Sequence, residues 1–297
     1  MADQHIQRLH SASELPAPRL SEVERCGLAF LTDDGLFEAC GTRIAFTQRS
    51  GGVSRPPYQG LNLGTHVGDD PQAVAENRRR LTRALGGGAP LAPLLVPNQV
   101  HGDHVALVSG ITEDAADTPA ASAVSEELAA GCDAVVCLDA LRPVCLCFAD
   151  CTPVILVAPG GAFAVVHAGW RGAIASIPAR AALRLAAEAR VDPAGIHAYI
   201  GPHIGGCCYE VSQELLDRFT ARFGAACDAG RRHLSLSAAV VASLLEAGVL
   251  RSGIIDAVSD LQPDSCTSCH AGVYYSYRKS GGVTGRHGAA ACRMPRI

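Results

Sequence analysis

The sequence lacks any long apolar run. No stretch approaches the roughly 18 consecutive apolar residues that a membrane-spanning helix needs. The polar N-terminus also lacks the apolar core of a secretory signal peptide. We therefore expect a cytoplasmic protein with no membrane partner.

A strongly basic surface is absent as well. The formal net charge is −4, so the chain lacks the basic stripe that nucleic acid would require, and we expect no nucleic-acid partner. The basic run at residues 78–80 is predicted to be a solvated helix face. Aromatic residues are few, with one Trp and seven Phe, so no stacking platform stands out.

The thirteen cysteines do not follow the pattern of a disulfide framework. Their number is odd and they are scattered along the chain, which favours free thiols and possible metal ligation over disulfide bonds. Cys266 and Cys269, followed by His270, match the pattern for c-type haem attachment. Attachment requires export and no signal peptide is visible, so haem is not favoured. A zinc knuckle at this pair is not favoured either, because no second CxxC stands at finger spacing.

The most informative stretch is residues 149–172. Two runs rich in β-branched residues, 154–158 and 162–166, are joined by a Gly-Gly turn and predict a β-hairpin. Pairing brings the residues before the first strand close to those after the second. Cys151 and His167 should therefore meet at the open end of the hairpin.

A thiolate beside an imidazole is a ligand set that zinc prefers. His101, in the motif Asn-Gln-Val-His-Gly, offers a third ligand if the chain folds back. Three protein ligands and one open position would make a catalytic metal site. A Cys151 nucleophile activated by a histidine base is the rival interpretation, and the sequence alone does not exclude it.

The whole chain has 48% hydrophobic residues and shows no internal repeat or clean linker. We therefore predict one domain at residues 26–297 after a disordered arm at 1–25. Residues 111–127 are predicted to be a surface loop with little chemistry. Strands are predicted at 27–31, 37–39, 43–47, 104–108, 132–137, 143–148 and 197–200. Helices are predicted at 71–85, 173–189, 212–223 and 236–247.

From about residue 26 to the C-terminus the sequence resembles the YfiH/LACC1 family, whose members are also described as multicopper polyphenol oxidase (laccase) domain proteins and as zinc-dependent purine nucleoside phosphorylases. Many motifs in the same order make the resemblance specific. They lie at residues 49–54, 62–64, 66–71, 98–102, 133–134, 149–151, 167–172, 201–202, 207–211, 276–278 and 284–286.

The resemblance implies an α/β (α+β) fold, a single-domain layered sandwich of the CNF1/YfiH type with mixed or antiparallel central sheets flanked by helices. It implies one zinc ion held by His101, Cys151 and His167. It also implies phosphorolysis of adenosine, inosine, guanosine and methylthioadenosine, with adenosine deaminase activity. Zinc is favoured over copper, because one Cys and two His are too few for several copper centres.

The residues expected to act on a purine nucleoside and phosphate are few. Arg49 and Arg278 are candidate clamps for phosphate or substrate, because a guanidinium binds oxyanions with two parallel hydrogen bonds. Asn62 would orient the substrate. Asp150, beside Cys151, is assigned to the catalytic group either as an orienting residue or as a proton acceptor.

Three other functions stay open: a hydrolase that edits peptidoglycan precursors with the same metal, a laccase-like copper polyphenol oxidase, and a non-catalytic metal-binding protein. An enzyme should lose activity with Arg49→Ala while it keeps its metal, whereas a binding module has no turnover to lose. The sequence does not determine the oligomeric state.

Overall fold

The computed structural model describes residues 14–111, 119–261 and 265–295. The strands are β1 (Ser21–Arg25), β2 (Leu28–Thr32), β3 (Thr42–Thr47), β4 (Val105–Val108), β5 (Ala134–Cys137), β6 (Val144–Phe148), β7 (Thr152–Val157), β8 (Phe163–Ala168), β9 (His197–Ile200), β10 (Ile254–Asp256) and β11 (His287–Arg293). The α-helices are α1 (Asp34–Cys40), α2 (Pro71–Gly86), α3 (Pro119–Ala130), α4 (Trp170–Ile174), α5 (Ile177–Ala189), α6 (Gln213–Phe223) and α7 (Leu236–Glu246). Within these ranges, no helix has the length and apolar character to cross a membrane.

Two sheets form the centre of the fold. The first is antiparallel, with the strand order β1-β2-β3-β11-β6. The second is mixed, with the order β10-β9-β7-β8-β5-β4, and its two outermost pairs, β10 with β9 and β4 with β5, are parallel.

Three apolar layers hold the sheets and helices together. Phe46 and Leu146 of the first sheet pack with Val165 of the second, which forms the core between the sheets. On the outer face of the first sheet, Leu81 of α2 packs with Ala290. On the outer face of the second sheet, a larger cluster contains residues of α5, α6 and α7. The predicted layered α/β sandwich is confirmed.

The central hairpin follows the sequence pattern. β7 and β8 pair antiparallel, with Thr152 opposite Ala168 and Pro153 opposite His167. Every residue of both strands is buried, because one face of the sheet covers the inter-sheet core and the other faces the helices. Burial on both faces explains why these strands read as unbroken apolar runs and not as an alternation.

Several predicted elements are confirmed. α2 begins after Asp70, whose side chain accepts a hydrogen bond from the Gln72 amide at 2.9 Å, with Pro71 at its first position. β9 covers residues 197–200 as predicted, and α6 and α7 lie within one residue of their predicted ends.

The prediction of a strand at 37–39 is wrong, because these residues lie in α1. The Asp33 carboxylate accepts from the Leu36 amide and caps the helix at its start. Gly41 ends it in the left-handed conformation, with φ 77°, and its amide donates to the Phe37 carbonyl. Both cap signals stand in the sequence on either side of the apolar run that suggested a strand.

Two other boundaries differ. The predicted arm contains β1, which begins at Ser21, while residues 1–13 lie outside the described part. The single helix predicted at 173–189 is two helices, α4 and α5. The break falls at Ser176, which has a φ of 57°, because Pro178 lacks an amide hydrogen and is tolerated only in the first turn of a helix.

The surface loop predicted at 111–127 is also wrong in its second half, which forms the start of α3. Leu128 of this helix is buried, and Val124 packs against the inter-sheet core. Residues 112–118 of the predicted loop lie outside the described part. The Ala- and Glu-rich composition that suggested a loop is equally compatible with a helix.

Candidate active site

Cys151, His167 and His101 come together at the open end of the β7–β8 hairpin. Each residue offers one possible ligand atom, a ring nitrogen or the sulfur, and these three atoms all lie within 4.8 Å of one another. The two imidazole rings meet edge to face, with centroids 4.8 Å apart. The predicted meeting of Cys151 with His167 is therefore observed, and the segment that carries His101 does fold back onto them.

Asp133 supports two of these residues, His101 and His167, through hydrogen bonds. Its side chain is fully buried and accepts hydrogen bonds from the amides of Val100, His101 and Gly102 at 2.7 to 3.1 Å. Its Oδ1 also lies 2.7 Å from Nδ1 of His167. One carboxylate therefore fixes the backbone at His101 and directs Nε2 of His167 towards the site.

The titratable groups of the site shift one another. Burial opposes ionisation of Cys151, but the nearby His167 and the hydrogen bonds from both histidines outweigh it and lower the pKa of the thiol to about 6. Burial likewise disfavours charge on His167, but the Cys151 thiolate and Asp133 raise its pKa to about 9. For Asp133, burial is again opposed, chiefly by His167, and the pKa lies below its usual value.

These side chains match the donors that zinc prefers. A thiolate and two imidazoles are suitable ligands, and the carboxylate on Nδ1 of His167 is the usual support of a metal-bound histidine. Three ligands leave a fourth position for a substrate or water. A cation at this position would also offset the negative charge of Cys151, which is ionised near neutral pH.

Gly169 leaves room for all three candidate ligands. A Cβ atom at this position would lie 3.1 Å from Cδ2 of His101 and 3.2 Å from Sγ of Cys151. Real Cβ atoms rarely make contacts this short, so the two side chains would have to move. The φ of Gly169 is −68°, and therefore space and not backbone strain is the constraint here.

If His101, Cys151 and His167 bind zinc, Gly169→Ala should weaken that binding by roughly tenfold, the lower end of what disturbed ligand support costs. The measurement is competition with a chromophoric chelator. Gly160→Ala, in the turn of the same hairpin, is the control, because its new Cβ would meet nothing within 4 Å. Equal zinc affinities of the two variants would contradict the expectation.

A cavity of about 1600 Å³ opens beside the three residues. Part of its wall is apolar and includes Leu95, Val124 and Leu128. Another part is cationic, with Arg78, Arg278 and Arg286 lining the same space. The site thus combines a candidate metal centre, an apolar wall and a concentration of positive charge that suits an oxyanion.

The structure places Arg278 and Asp150 at this cavity. The Arg278 guanidinium donates to the Glu210 carbonyl at 3.1 Å, and its backbone amide donates to Oδ2 of Asp150 at 2.6 Å. Oδ1 of Asp150 accepts from the Thr267 hydroxyl at 2.7 Å. Asp150 also has a φ of 90°, unusual for a residue with a side chain, so the chain is tightly constrained next to Cys151.

Arg49 and Asn62 are placed differently, because neither lines the cavity. The Arg49 guanidinium donates to the carbonyls of Ala271 and Gln59 and lies over the Tyr275 ring. The Asn62 side chain is fully buried, and its oxygen accepts from the amides of Gly64 and Arg286. Their roles in substrate binding stay predictions.

Sequence reasoning missed several lining residues. Arg78 was expected on a solvated helix face, but it lines the cavity, and its Nε donates to the Leu63 carbonyl at 2.9 Å. His66 also lines the cavity, and burial, with Arg286 nearby, lowers the pKa of its imidazole. His66 and Arg286 lie within the motifs quoted above, and this was the available signal; Arg78 offered none beyond its charge.

Comparisons with known proteins agree on one group of relatives. The family model described as multi-copper polyphenol oxidoreductase laccase matches residues 43–294. A protein named purine nucleoside phosphorylase YlmD, from Geobacillus stearothermophilus, is 34% identical over 254 residues, which cover 83% of this chain and 88% of that protein. The purine nucleoside phosphorylase SCO2081 of Streptomyces coelicolor is 39% identical over 213 residues, 70% of this chain and 82% of that one.

The same relationship is seen in three dimensions. The crystal structure of YlmD from Geobacillus stearothermophilus matches with a TM-score of 0.76 and 31% sequence identity. The match covers 94% of this chain and 100% of that one.

Proposed function

The chain belongs to the family described as multi-copper polyphenol oxidoreductase laccases, and from this premise we propose that it is a zinc-dependent purine nucleoside phosphorylase. The observation that carries the proposal is the position of His101, Cys151 and His167 at a cavity that also has apolar and cationic walls. The relatives named as purine nucleoside phosphorylases support the same reaction.

Phosphorolysis requires a binding site for phosphate and one for the purine base, and this cavity suits both. A phosphate oxygen forms a bond to C1′ of the ribose while the bond from C1′ to the purine nitrogen breaks, and positive charge develops on the sugar. Arg278 and Arg286 are suited to hold the phosphate, because guanidinium groups bind oxyanions with paired hydrogen bonds. The apolar wall suits the purine.

His101, Cys151 and His167 would hold the zinc ion. Zinc bound there would supply Lewis-acid activation of a coordinated oxygen, which also serves deamination of adenosine. Asp133 keeps His167 in the required orientation. Asp150 acts as an orienting residue in this proposal, because both of its carboxylate oxygens accept hydrogen bonds from Thr267 and Arg278.

The test begins with zinc content and with free base. The purified chain is incubated with adenosine, inosine, guanosine or methylthioadenosine, with and without phosphate, and the products are separated by chromatography. We expect free base and ribose 1-phosphate only when phosphate is present, and inosine from adenosine in either case. Zinc without base release would refute the phosphorylase assignment, and copper in several equivalents would refute the zinc assignment.

A second function is favoured by the size of the cavity. At about 1600 Å³ it exceeds the roughly 300–1,000 Å³ that is usual for small-ligand sites. A hydrolase acting on a cell-wall nucleotide-sugar precursor would use this extra space and the same metal. Release of an amino acid from a muramyl precursor, without nucleoside turnover, would support this function over phosphorolysis.

Arg278→Ala should raise the KM for phosphate roughly 10- to 100-fold, the range expected when one charged hydrogen-bonding group is lost. Zinc content should not change, because the Arg278 guanidinium donates to the Glu210 carbonyl and not to a candidate ligand, and the Arg278 amide can still donate to Asp150. The control is Lys279→Ala, which removes the same charge from an exposed neighbour that does not line the cavity. An equal change in both variants would mean that overall charge, not a phosphate contact, is responsible.

Arg49→Ala tests the clamp predicted from the sequence. If Arg49 binds substrate, the KM should rise while stability stays close to that of the native chain. If its contacts with Ala271 and Gln59 are its only role, the free energy of unfolding should fall while the KM is kept.

A further inference from the structure

A second cluster of possible metal ligands lies outside the site already described. It consists of Cys207, Cys208, Cys266 and Cys269, whose sulfur atoms all lie within 4.8 Å of one another. The cluster shares no residue with His101, Cys151 and His167. The zinc knuckle that the sequence disfavoured had lacked a second pair of cysteines, and the structure supplies it as an adjacent pair instead of a second CxxC.

The four sulfur atoms lie close enough together to share one ion. Sγ of Cys207 lies 3.8 Å from that of Cys208, 3.5 Å from that of Cys266 and 3.6 Å from that of Cys269. Sγ of Cys208 lies 3.4 Å from that of Cys269. Four sulfurs at about 2.3 Å from a zinc ion are separated by about 3.8 Å, so these distances suit a shared ion. They are much longer than the roughly 2.05 Å of a disulfide bond.

The surroundings suit such an ion. The amide of Gly205 donates to Sγ of Cys266 at 3.3 Å, a type of contact that helps to hold a thiolate ligand in place. A Cβ at Gly205 would lie 3.2 Å from Sγ of Cys207, so the backbone passes close to two of the four sulfurs. Cys266 is buried while Cys207 and Cys269 are exposed, which leaves a path from solvent for the metal.

We propose that Cys207, Cys208, Cys266 and Cys269 bind one zinc ion as a closed tetrathiolate site. Four protein ligands leave no open position, so the site is structural and not catalytic. It differs in this respect from the three-ligand centre, which leaves a position for a substrate.

The ion would join two loops that form one wall of the catalytic cavity. His203 and Cys266 form a parallel bridge, and the Thr267 amide donates to the His203 carbonyl at 3.0 Å. The first loop continues to Tyr209 and the second to Arg278, and both residues line the cavity. We infer that the tetrathiolate zinc cross-links these two loops and so stabilises the wall that carries Arg278.

Elemental analysis of the purified full-length chain tests this site. Under reducing conditions we expect about two zinc ions per chain in the native protein, one for each site. His101→Ala combined with Cys151→Ala should leave about one, and Cys208→Ser combined with Cys269→Ser should also leave about one. Cys26→Ser, at an exposed cysteine outside the cluster, is the control and should leave both.

The proposal is overturned if Cys208→Ser with Cys269→Ser binds as much zinc as the native chain. If the double serine variant does not fold, the His101→Ala, Cys151→Ala chain decides. Its cobalt(II) form should show the strong sulfur-to-metal charge-transfer absorption of a tetrathiolate, and absence of that absorption overturns the proposal.

Discussion

Replacing Cys151 with alanine should empty the three-ligand site and reduce phosphorolysis by at least about 10³-fold. A bound metal ion contributes several kcal/mol of transition-state stabilisation, and each 1.4 kcal/mol or so corresponds to a factor of ten in rate. The thiol lies within 4.8 Å of the donor atoms of both histidines, and its low pKa of about 6 makes it a thiolate near neutral pH. The measurement is the rate of free-base formation together with zinc content.

Loss of activity alone does not separate a zinc ligand from a cysteine nucleophile, because both roles end with Cys151. A chelator does. If Cys151 is a ligand, a strong chelator should abolish turnover in the native chain, and added zinc should restore it. A cysteine nucleophile would keep its activity in the chelator and would be blocked by thiol alkylation, which zinc could not reverse. Cys26→Ala, which removes an exposed thiol elsewhere, should leave the rate unchanged.

The centre of the fold and two of its site residues could be predicted locally. The unbroken apolar runs, with glycines between them, are sufficient to define the β7–β8 hairpin, and hairpin pairing then brings Cys151 to His167. His101 could be only a candidate from the residues, because nothing near it in the sequence says that the chain folds back. Its place in the ligand set came from the family resemblance.

Asp133 is harder to predict for a physical reason. Its acceptor oxygens serve amides at residues 100–102 and a histidine ring in β8, contacts that exist only after the chain has folded. In the sequence it lies in the motif at residues 133–134 of the family resemblance, but the motif does not show its role, because an acidic residue before an apolar run is common at strand starts. The same argument applies to the cysteine cluster, whose two pairs are far apart in the chain and do not repeat a spacing.

The errors in secondary structure have a common cause. For residues 37–39 and for the start of α3, apolar or Ala-rich composition outweighed the signals that end and begin helices. Asp33 and Gly41 mark both ends of α1, and Pro119 is the first residue of α3. The α3 error mattered for function, because Val124 and Leu128 of that helix line the cavity.

Asp133→Asn should weaken zinc binding roughly 10- to 100-fold and should destabilise the fold by about 3–5 kcal/mol. Oδ1 accepts from the His101 amide and Nδ1 of His167, while Oδ2 accepts from the amides of Val100 and Gly102. An asparagine has one acceptor oxygen, so its NH₂ group must face two donors in either orientation. The buried carboxylate charge beside the imidazole of His167 is lost as well.

Zinc affinity by chelator competition and the free energy of unfolding by denaturant measure these effects separately. Asp139→Asn is a close control, because Asp139 also accepts from two backbone amides, those of Gly110 and Ile111 at 2.9 Å, but contacts no candidate ligand. We expect the control to lose some stability and to keep its zinc affinity. If Asp133→Asn destabilises the chain yet binds zinc as tightly as the native protein, the carboxylate supports the loop at His101 but does not orient His167 for the metal. That outcome would remove the structural reason for treating Asp133, His167 and the metal as one unit.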